Sequence, residues 1–349
     1  MVNVYYWPRS TMDSIRVSEA PDPGSIPGEA TMFEARFVKD TDFDKIILSD
    51  VITNTSIEII PSCGAILHAF KVFNDGALIN VIDSYDNAAD FAANVTAKGF
   101  KSCKLSPFAC RIKNATYTFA KKEYVIEKFL LNGSALHGLL YDAVFKVVNI
   151  SADENVAAVS FQYEYAGAEK GYPFKFTCVI TYELKNDNAL TITTTITNND
   201  EGLIPIQDGW HPYFSLGDSI DELQLEFQSK EMVECDDAII PTGKLLPYQE
   251  YGALKKIGAA EFDNCFTVNF AECQPLCVLR NATKKIQVEI HPGKNYPYLQ
   301  IYTPPHRKSI AIENLSAIPD AFNNGTGLKV LTPGSSENFI TTFKITSLI

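Results

Sequence analysis

The chain is short of positive charge, of long apolar runs and of targeting signals. Its 349 residues carry 30 lysines and arginines against 42 aspartates and glutamates, which gives a net charge of −12. This acidic balance disfavours nucleic acids and anionic membrane surfaces as partners. No run of 18 apolar residues occurs, so we predict no membrane span. The N-terminus lacks a basic segment followed by an apolar one, so we expect no signal peptide and a cytoplasmic location.

Cysteine pairs at metal-ligand spacing are missing as well. None of the eight cysteines forms a C-x-x-C pair. Cys273 and Cys277 come closest, but no second pair accompanies them. Several other cysteines alternate with apolar residues, where a free thiol behaves as a small hydrophobic group. We therefore expect reduced thiols, with a few disulfides as the alternative.

Long helical patterns and fixed-period repeats are also absent. Residues 1–31 contain the turn-rich segment Ala20-Pro-Asp-Pro-Gly-Ser-Ile-Pro-Gly and few apolar residues that could pack. We interpret them as an irregular N-terminal tail. No linker interrupts the remaining residues, which predicts one domain over 32–349.

Short runs of alternating apolar and polar residues fill that domain. In Tyr172–Leu184 the apolar side chains occupy the even positions, and residues 190–196, 223–227 and 286–290 repeat the pattern. Lys185-Asn-Asp-Asn188 has the composition of a turn between two strands. These features predict an all-β fold, a large antiparallel β-sandwich. We expect its ligand site on an open sheet face, with residues added from loops.

The segment Asp208-Gly-Trp-His211-Pro-Tyr-Phe214 combines a histidine with several aromatic rings. Aromatic faces pack well against the C–H face of a sugar ring. A histidine beside such a surface can transfer a proton near neutral pH. Because a strand pattern precedes it, we expect His211 where a sheet ends. A structural histidine in an aromatic cluster is the alternative.

Two further segments contain a polar side chain within an apolar stretch. Arg111 ends P-F-A-C-R and offers five hydrogen-bond donors, for either a ligand or a structural ion pair. His137 precedes Gly138, which allows a ligand or another part of the backbone to approach closely. A hydrogen-bonded core histidine is the alternative for His137.

Two carboxylates complete the candidate site. Asp263 lies between aromatic residues in F-D-N-C-F, where it could accept hydrogen bonds from hydroxyl groups or cap a turn. Glu313 follows the apolar residues Ile310 and Ile312 at the end of a predicted strand. Burial there would raise its pKa and suit it to act as a general base.

Taken in chain order, these segments resemble the aldose 1-epimerases, the galactose mutarotase family. The resemblance rests on Arg111 in P-F-A-C-R-I, His137 in L-H-G, His211 in H-P-Y-F, Asp263 in F-D-N-C-F and Glu313 in I-E-N-L-S-A-I-P-D-A-F-N. It covers roughly residues 33–349 and extends to Ile196-Thr-Asn198 and Leu331-Thr-Pro-Gly334. It implies the galactose mutarotase-like supersandwich.

The resemblance also implies roles for these residues. Glu313 would take the proton from the anomeric hydroxyl, His211 would protonate the ring oxygen, and His137 would hold or polarise that side of the ring. Arg111 and Asp263 would bind sugar hydroxyls. The partner would be a small-molecule aldose such as glucose or galactose, and the protein a monomer or homodimer without a cofactor.

One segment departs from the family, which often has N-H-x-H-G-G around its first histidine. Here the segment is Ser134-Ala-Leu-His137-Gly-Leu139, so the rim of the site differs and the sugar is open. A hexose-6-phosphate mutarotase is one alternative, with Lys104, Arg111, Lys113 and Arg307 as candidate phosphate ligands. A non-catalytic sugar-binding protein is another. A metal hydrolase using both histidines and Glu313 lacks a spacing such as H-E-x-x-H.

Overall fold

The structure is a computed structural model that describes residues 32–348. The predicted tail, residues 1–31, lies outside the described residues. The two helices are short, α1 (Ala88–Asn94) and α2 (Ala321–Asn324). The strands are β1 (Phe33–Val38), β2 (Lys45–Asp50), β3 (Thr55–Ile60), β4 (Ile66–Asn74), β5 (Ala77–Asn80), β6 (Lys104–Leu105), β7 (Arg111–Ile112), β8 (Thr116–Phe119), β9 (Lys122–Val125), β10 (Leu130–Leu131), β11 (Ser134–Leu136), β12 (Lys146–Ala152), β13 (Val156–Tyr165), β14 (Phe176–Lys185), β15 (Ala189–Asn198), β16 (Ile204–Ile206), β17 (Gly209–Trp210), β18 (Tyr213–Phe214), β19 (Gln224–Phe227), β20 (Glu231–Cys235), β21 (Pro241–Pro247), β22 (Lys255–Lys256), β23 (Asp263–Thr267), β24 (Cys277–Asn281), β25 (Ile286–Pro292), β26 (Tyr298–Tyr302), β27 (Ile310–Leu315), β28 (Lys329–Leu331) and β29 (Ser336–Ser347).

A nine-stranded antiparallel sheet has the order β12-β13-β14-β15-β29-β25-β24-β19-β22. In β14 every second side chain is buried, because alternate residues of a strand face opposite sides. This strand begins at Phe176, not at Tyr172 as predicted. Pro173 has no N–H to donate to a neighbouring strand, so the residues before Phe176 stay outside the ladder of hydrogen bonds. The predicted turn does separate β14 from β15.

An eight-stranded antiparallel sheet packs against the first. Its order is β21-β20-β23-β26-β27-β17-β6, and β18 also pairs with β27. Phe214 of β18 packs edge-on against Phe343 of β29, with ring centroids 5.4 Å apart. Asn314 Nδ2 of β27 donates to Thr341 Oγ1 of β29 at 2.8 Å. The predicted all-β antiparallel sandwich is therefore confirmed.

A five-stranded sheet, β1 to β5 in sequence order, packs against one end of the nine-stranded sheet. Buried apolar side chains from all three sheets form one cluster, which includes Leu48, Ile180 and Ile301. Three smaller sheets complete the fold. One has the order β10-β11-β7, one pairs β8 with β9, and one pairs β16 with β28. Within residues 32–348, neither helix has the length and apolar character needed to span a membrane.

The cysteines are free thiols, as expected for a reduced protein. All eight are unpaired, and six of them are buried. Cys178, for example, alternates with Phe176 and Ile180 on the buried face of β14. Burial raises the pKa of the Cys63 thiol to about 11, so this group is neutral near pH 7. Burial also raises the pKa of Cys178, which here contributes as an apolar side chain.

Candidate active site

The structure brings all five predicted site residues to one cavity of about 440 Å³. This volume lies in the usual range for small-molecule sites. The cavity lies on the face of the eight-stranded sheet that points away from the nine-stranded sheet. Asn314 faces the nine-stranded sheet, so its neighbour Glu313 must face the other way. Residues 96–101, Arg111 and the segment around His137 cover this face.

Glu313 lies inside strand β27, two residues before its end, and is 2% exposed. We predicted Glu313 at the end of a strand, but it lies deeper in the sheet. Strand β27 pairs with β26 on one side and with β17 and β18 on the other. Burial raises the pKa of Glu313 well above its ordinary value, and the charge of Asp263 adds to this shift. The guanidinium of Arg111 opposes it. The carboxyl can therefore hold a proton near neutral pH.

His211 lies between the two-residue strands β17 and β18, not at the end of a sheet as predicted. Its N–H donates to Cys103 O at 3.2 Å, and its carbonyl accepts from Ser102 N–H at 2.8 Å. Tyr213 stacks on the imidazole with ring centroids 5.2 Å apart. His211 Nε2 lies 3.2 Å from Glu313 Oε1. Burial lowers the pKa of His211 to about 3, so the imidazole is neutral in the ligand-free site.

His137 meets His211 edge to face, with ring centroids 5.1 Å apart. Its backbone has a φ of 59°, an uncommon conformation for this residue type. Gly138 shares the left-handed conformation, and a Cβ there would lie 2.3 Å from Ser106 O. The group that closely approaches Gly138 is therefore another part of the backbone, at Ser106. His137 Nδ1 has no hydrogen-bond partner among residues 32–348, and burial lowers the pKa of His137 well below its ordinary value.

Arg111 and Asp263 line the same cavity. Among the described residues, the Arg111 side chain makes no hydrogen bond or ion pair, so the structural ion pair is not formed there. Asp263 begins strand β23, and its Oδ1 accepts from Gln300 Nε2 at 2.9 Å, so this bond does not cap a turn. Burial raises the pKa of Asp263, while Arg111 and the Gln300 bond oppose the rise.

Gln300 was not singled out in the sequence analysis. It is the direct cross-strand partner of Glu313, so both side chains project from the same face. Gln300 is 4% exposed and its Oε1 has no partner among the described residues. A polar side chain between Leu299 and Ile301, in an otherwise apolar buried stretch, was the available signal. Its position links Asp263 to the Glu313 end of the site.

The site residues form a row across the sheet. Strands β17, β27, β26 and β23 are successive neighbours, about 4.8 Å apart. β27, β26 and β23 carry Glu313, Gln300 and Asp263 in that order, and His211 directly follows β17. A histidine in contact with a carboxyl group therefore occupies one end of the row, and an amide bonded to a carboxyl group occupies the other.

The segment after Glu313 fixes the position of Arg111. Asp320 N–H donates to Arg111 O at 2.8 Å, and Asp320 Oδ1 accepts from Lys113 N–H at 2.9 Å. Phe322 of the same segment packs against Phe108, with ring centroids 5.9 Å apart. The segment that contains Arg111 and the segment that follows Glu313 thus pack together in the folded chain.

The basic residues raised as phosphate ligands do not form a cluster. Lys104 is fully buried and pairs with Asp208 at 2.5 Å. Arg307 pairs with Asp221, and Lys113 does not line the cavity. Within residues 32–348 no three histidine, cysteine, aspartate or glutamate side chains are grouped as metal ligands. The described residues do not supply the ligand set that a metal hydrolase requires.

Comparison with known proteins gives a consistent result. Residues 51–344 match the family model described as aldose 1-epimerase. An aldose 1-epimerase of Streptococcus thermophilus is 27% identical over 314 residues, 79% of this chain and 87% of that protein. A maltose epimerase of Levilactobacillus brevis is 24% identical over 289 residues, 76% of this chain and 82% of that protein. A galactose mutarotase-like protein from Clostridium acetobutylicum has the same fold, with a TM-score of 0.78 at 18% identity over 90% of this chain and 98% of that one. Because the family model covers most of its length, the chain belongs to the aldose 1-epimerase family of isomerases.

Proposed function

We propose that the protein interconverts the α and β anomers of a free hexose, with glucose and galactose as the first candidates. The observation that carries this proposal is the contact of 3.2 Å between His211 Nε2 and Glu313 Oε1 at the end of the cavity. A binding protein requires partners for sugar hydroxyls but has no need of an adjacent acid and base.

The pair supplies both proton transfers of the reaction. The Glu313 carboxylate takes the proton from the anomeric hydroxyl while the His211 imidazolium protonates the ring oxygen. The C1–O5 bond breaks and a carbonyl forms at C1. After rotation about C1–C2, O5 attacks the other face of the carbonyl. His211 then recovers the proton of the O5 hydroxyl, and Glu313 returns one to O1.

One proton shared between the two groups is sufficient for this cycle. The ion pair and the neutral pair differ only by a proton transfer, so no exchange with solvent is needed. Burial raises the pKa of Glu313 and lowers the pKa of His211, which favours the neutral pair in the ligand-free site. The nearby charge of Arg111 favours the carboxylate form, in which Glu313 can accept the anomeric proton.

The remaining cavity residues fit the hydroxyl groups of a neutral sugar. Arg111 provides donors, Asp263 provides acceptors, and Tyr302 provides an aromatic ring. We expect His137 to contact the ring-oxygen side of the sugar, because its ring packs against that of His211. The cavity-lining lysines Lys98 and Lys101 are each paired with an aspartate, which leaves Arg111 as the one lysine or arginine of the described lining without an ion pair. We therefore favour a free hexose over a hexose 6-phosphate.

Polarimetry of freshly dissolved α-D-glucose and α-D-galactose tests the proposal. The wild type should accelerate mutarotation, and Glu313→Gln should lower kcat by about 10²- to 10⁴-fold, as expected for loss of a general base. His211→Ala should behave similarly. Glu289→Gln is a matched control, because Glu289 contacts His291 at 3.5 Å on β25, away from the cavity. Retention of the wild-type rate by Glu313→Gln would refute the assignment. Binding without acceleration would indicate a sugar-binding protein.

A further inference from the structure

Tyr213 lines the catalytic cavity but takes no part in the proposed proton transfers. It is 1% exposed, and its ring stacks on the imidazole of His211, two residues earlier in the chain. The Tyr213 hydroxyl is buried and has no hydrogen-bond partner among residues 32–348. A buried hydroxyl without a partner is costly, so a ligand that fills the cavity is expected to supply one.

The Tyr213 hydroxyl lies against Gly99, in the segment 96–101 that forms one wall of the cavity. Gly99 has a φ of 76°, and a Cβ at this position would lie 2.3 Å from Tyr213 Oη. Glycine is therefore the residue that leaves room for the hydroxyl there. The Tyr213 carbonyl also accepts a hydrogen bond from Asp83 N–H at 2.9 Å, which holds the backbone. The position of the hydroxyl is thus set by the fold before a ligand binds.

The strand register shows where Tyr213 lies relative to the pair of His211 and Glu313. Tyr213 and Tyr302 are both direct partners of Ala311, so the three side chains project from the same face of the sheet. Glu313 is two residues farther along β27, on that face and about 7 Å away. Tyr213 therefore lies beside His211 in the direction of the strands, whereas Glu313 lies beside His211 across the sheet.

This arrangement decides which part of a sugar meets Tyr213. The proposed reaction requires O5 at His211 and O1 at Glu313, so the C1–O5 edge of the ring lies across the sheet. From that edge the cavity extends over Tyr213 and Tyr302, which both line it. Because C5 is bonded to O5 and C2 is bonded to C1, C5 lies on the Tyr213 side and C2 on the Tyr302 side. The hydroxymethyl group on C5 then points to the Tyr213 hydroxyl.

The charges around this hydroxyl suit a neutral group. Lys98 and Lys101 belong to the segment that contacts Tyr213, but they pair with Asp90 at 2.6 Å and with Asp83 at 2.7 Å. An anionic group would therefore meet no unpaired lysine of that segment. Burial raises the pKa of Tyr213, so its hydroxyl is neutral and can both donate and accept. A sugar hydroxyl has the same two capacities and matches it.

We infer that Tyr213 is a specificity-determining residue, whose hydroxyl binds O6 of the hydroxymethyl group of a hexose. The inference rests on the proposed function, because it requires O5 at His211 and O1 at Glu313. It adds a preference for hexoses over their 6-deoxy counterparts, which lack O6. Since the Tyr213 ring is stacked on the imidazole, a sugar held at O6 has its O5 beside His211.

The test removes one oxygen from the protein, one from the sugar, or both. Polarimetry gives kcat/KM for mutarotation of D-glucose, D-galactose and their 6-deoxy analogues, with the wild type and with Tyr213→Phe, which keeps the stacked ring. The wild type should prefer a hexose to its 6-deoxy analogue by about 3- to 10-fold, the scale of one neutral hydrogen bond. Tyr213→Phe should lower the hexose values by that factor and leave the 6-deoxy values within about twofold, so the preference disappears.

Tyr163→Phe is the matched control, because Tyr163 packs against Phe145 with ring centroids 5.5 Å apart and does not line the cavity. It should change none of the four values. A preference that stays at the wild-type value in Tyr213→Phe, whether or not the rates fall, would overturn the inference. So would a wild type that turns over each hexose and its 6-deoxy analogue equally well. Failure of the wild type on all four sugars would instead refute the proposed function, which separates the two conclusions.

Discussion

At the scale of single residues, the central feature is how charges around the cavity shift the pKa of Glu313, which contacts His211. Asp263 raises the pKa of Glu313, and Arg111 lowers it. The same two side chains are proposed to bind sugar hydroxyls. Loss of either side chain should weaken sugar binding. Loss of Asp263 should lower the Glu313 pKa, whereas loss of Arg111 should raise it. The effects on binding and on proton affinity can therefore be separated.

The pH profile of kcat/KM should show this separation. Its alkaline limb marks the loss of the shared proton, so its position follows the Glu313 pKa. Asp263→Asn removes a negative charge, lowers that pKa and should move the limb to lower pH. Arg111→Gln removes a positive charge, raises the pKa and should move the limb to higher pH. Both variants should raise KM. Shifts of the same sign, measured by polarimetry across a pH series, would contradict this account.

Sequence reasoning at this scale singled out five cavity residues but not all their neighbours. His211 and Glu313 stand out because a histidine among aromatic rings and a carboxylate in an apolar strand are unusual. Gln300 does not stand out, because an amide in a strand has many structural explanations. Only the register of β26 against β27 shows that it faces Glu313.

At the scale of elements, a buried ion pair holds the short strand that leads to His211. Asp208 Oδ1 accepts from Lys104 Nζ at 2.5 Å and from Tyr296 OH at 2.6 Å. Lys104 also donates to Thr194 Oγ1 at 3.0 Å, which connects β6 to the nine-stranded sheet. Asp208 lies three residues before His211 in the sequence, but its carboxylate bonds to Lys104 and Tyr296.

Removing one partner of the Lys104–Asp208 pair should strongly destabilise the folded protein. Lys104→Met leaves the Asp208 charge buried without its partner and should reduce the free energy of unfolding by about 3–5 kcal/mol. The double variant Lys104→Met/Asp208→Leu should be less destabilised, because no lone charge remains. Urea denaturation measures both. Lys128→Met is the control, since its pair with Asp142 is exposed and should contribute well under about 1 kcal/mol. Equal losses for Lys104→Met and Lys128→Met would show that the buried pair is unimportant.

At the scale of the whole molecule, two motifs of the resemblance have a structural explanation. Asn198 ends β15, and its Nδ2 donates to Leu331 O at 2.9 Å and to Gly202 O at 2.8 Å. Gly334 N–H donates to Asn198 O at 2.9 Å. Segments more than 130 residues apart are thus joined away from the cavity.

Asn198→Ala should therefore affect stability and not catalysis. Loss of the amide removes this donor from the buried Leu331 carbonyl, at a cost of about 1–3 kcal/mol. The urea midpoint should fall while kcat and KM per folded molecule stay unchanged. Asn199→Ala, at the exposed neighbouring position, is the control. A change in kcat/KM for Asn198→Ala without a stability loss would indicate coupling between this junction and the site.

The sequence by itself determined the sheet class and singled out five residues that line one cavity. Alternation with a period of two is a local property, so it indicates antiparallel strands before any contact is known. The tertiary structure decided which distant residues meet. Strand order, register and side-chain direction place Gln300 opposite Glu313, turn Lys104 and Asp208 into the core, and put the Tyr213 hydroxyl against Gly99. These outcomes depend on pairings between segments far apart in the chain, and no local pattern specifies such pairings.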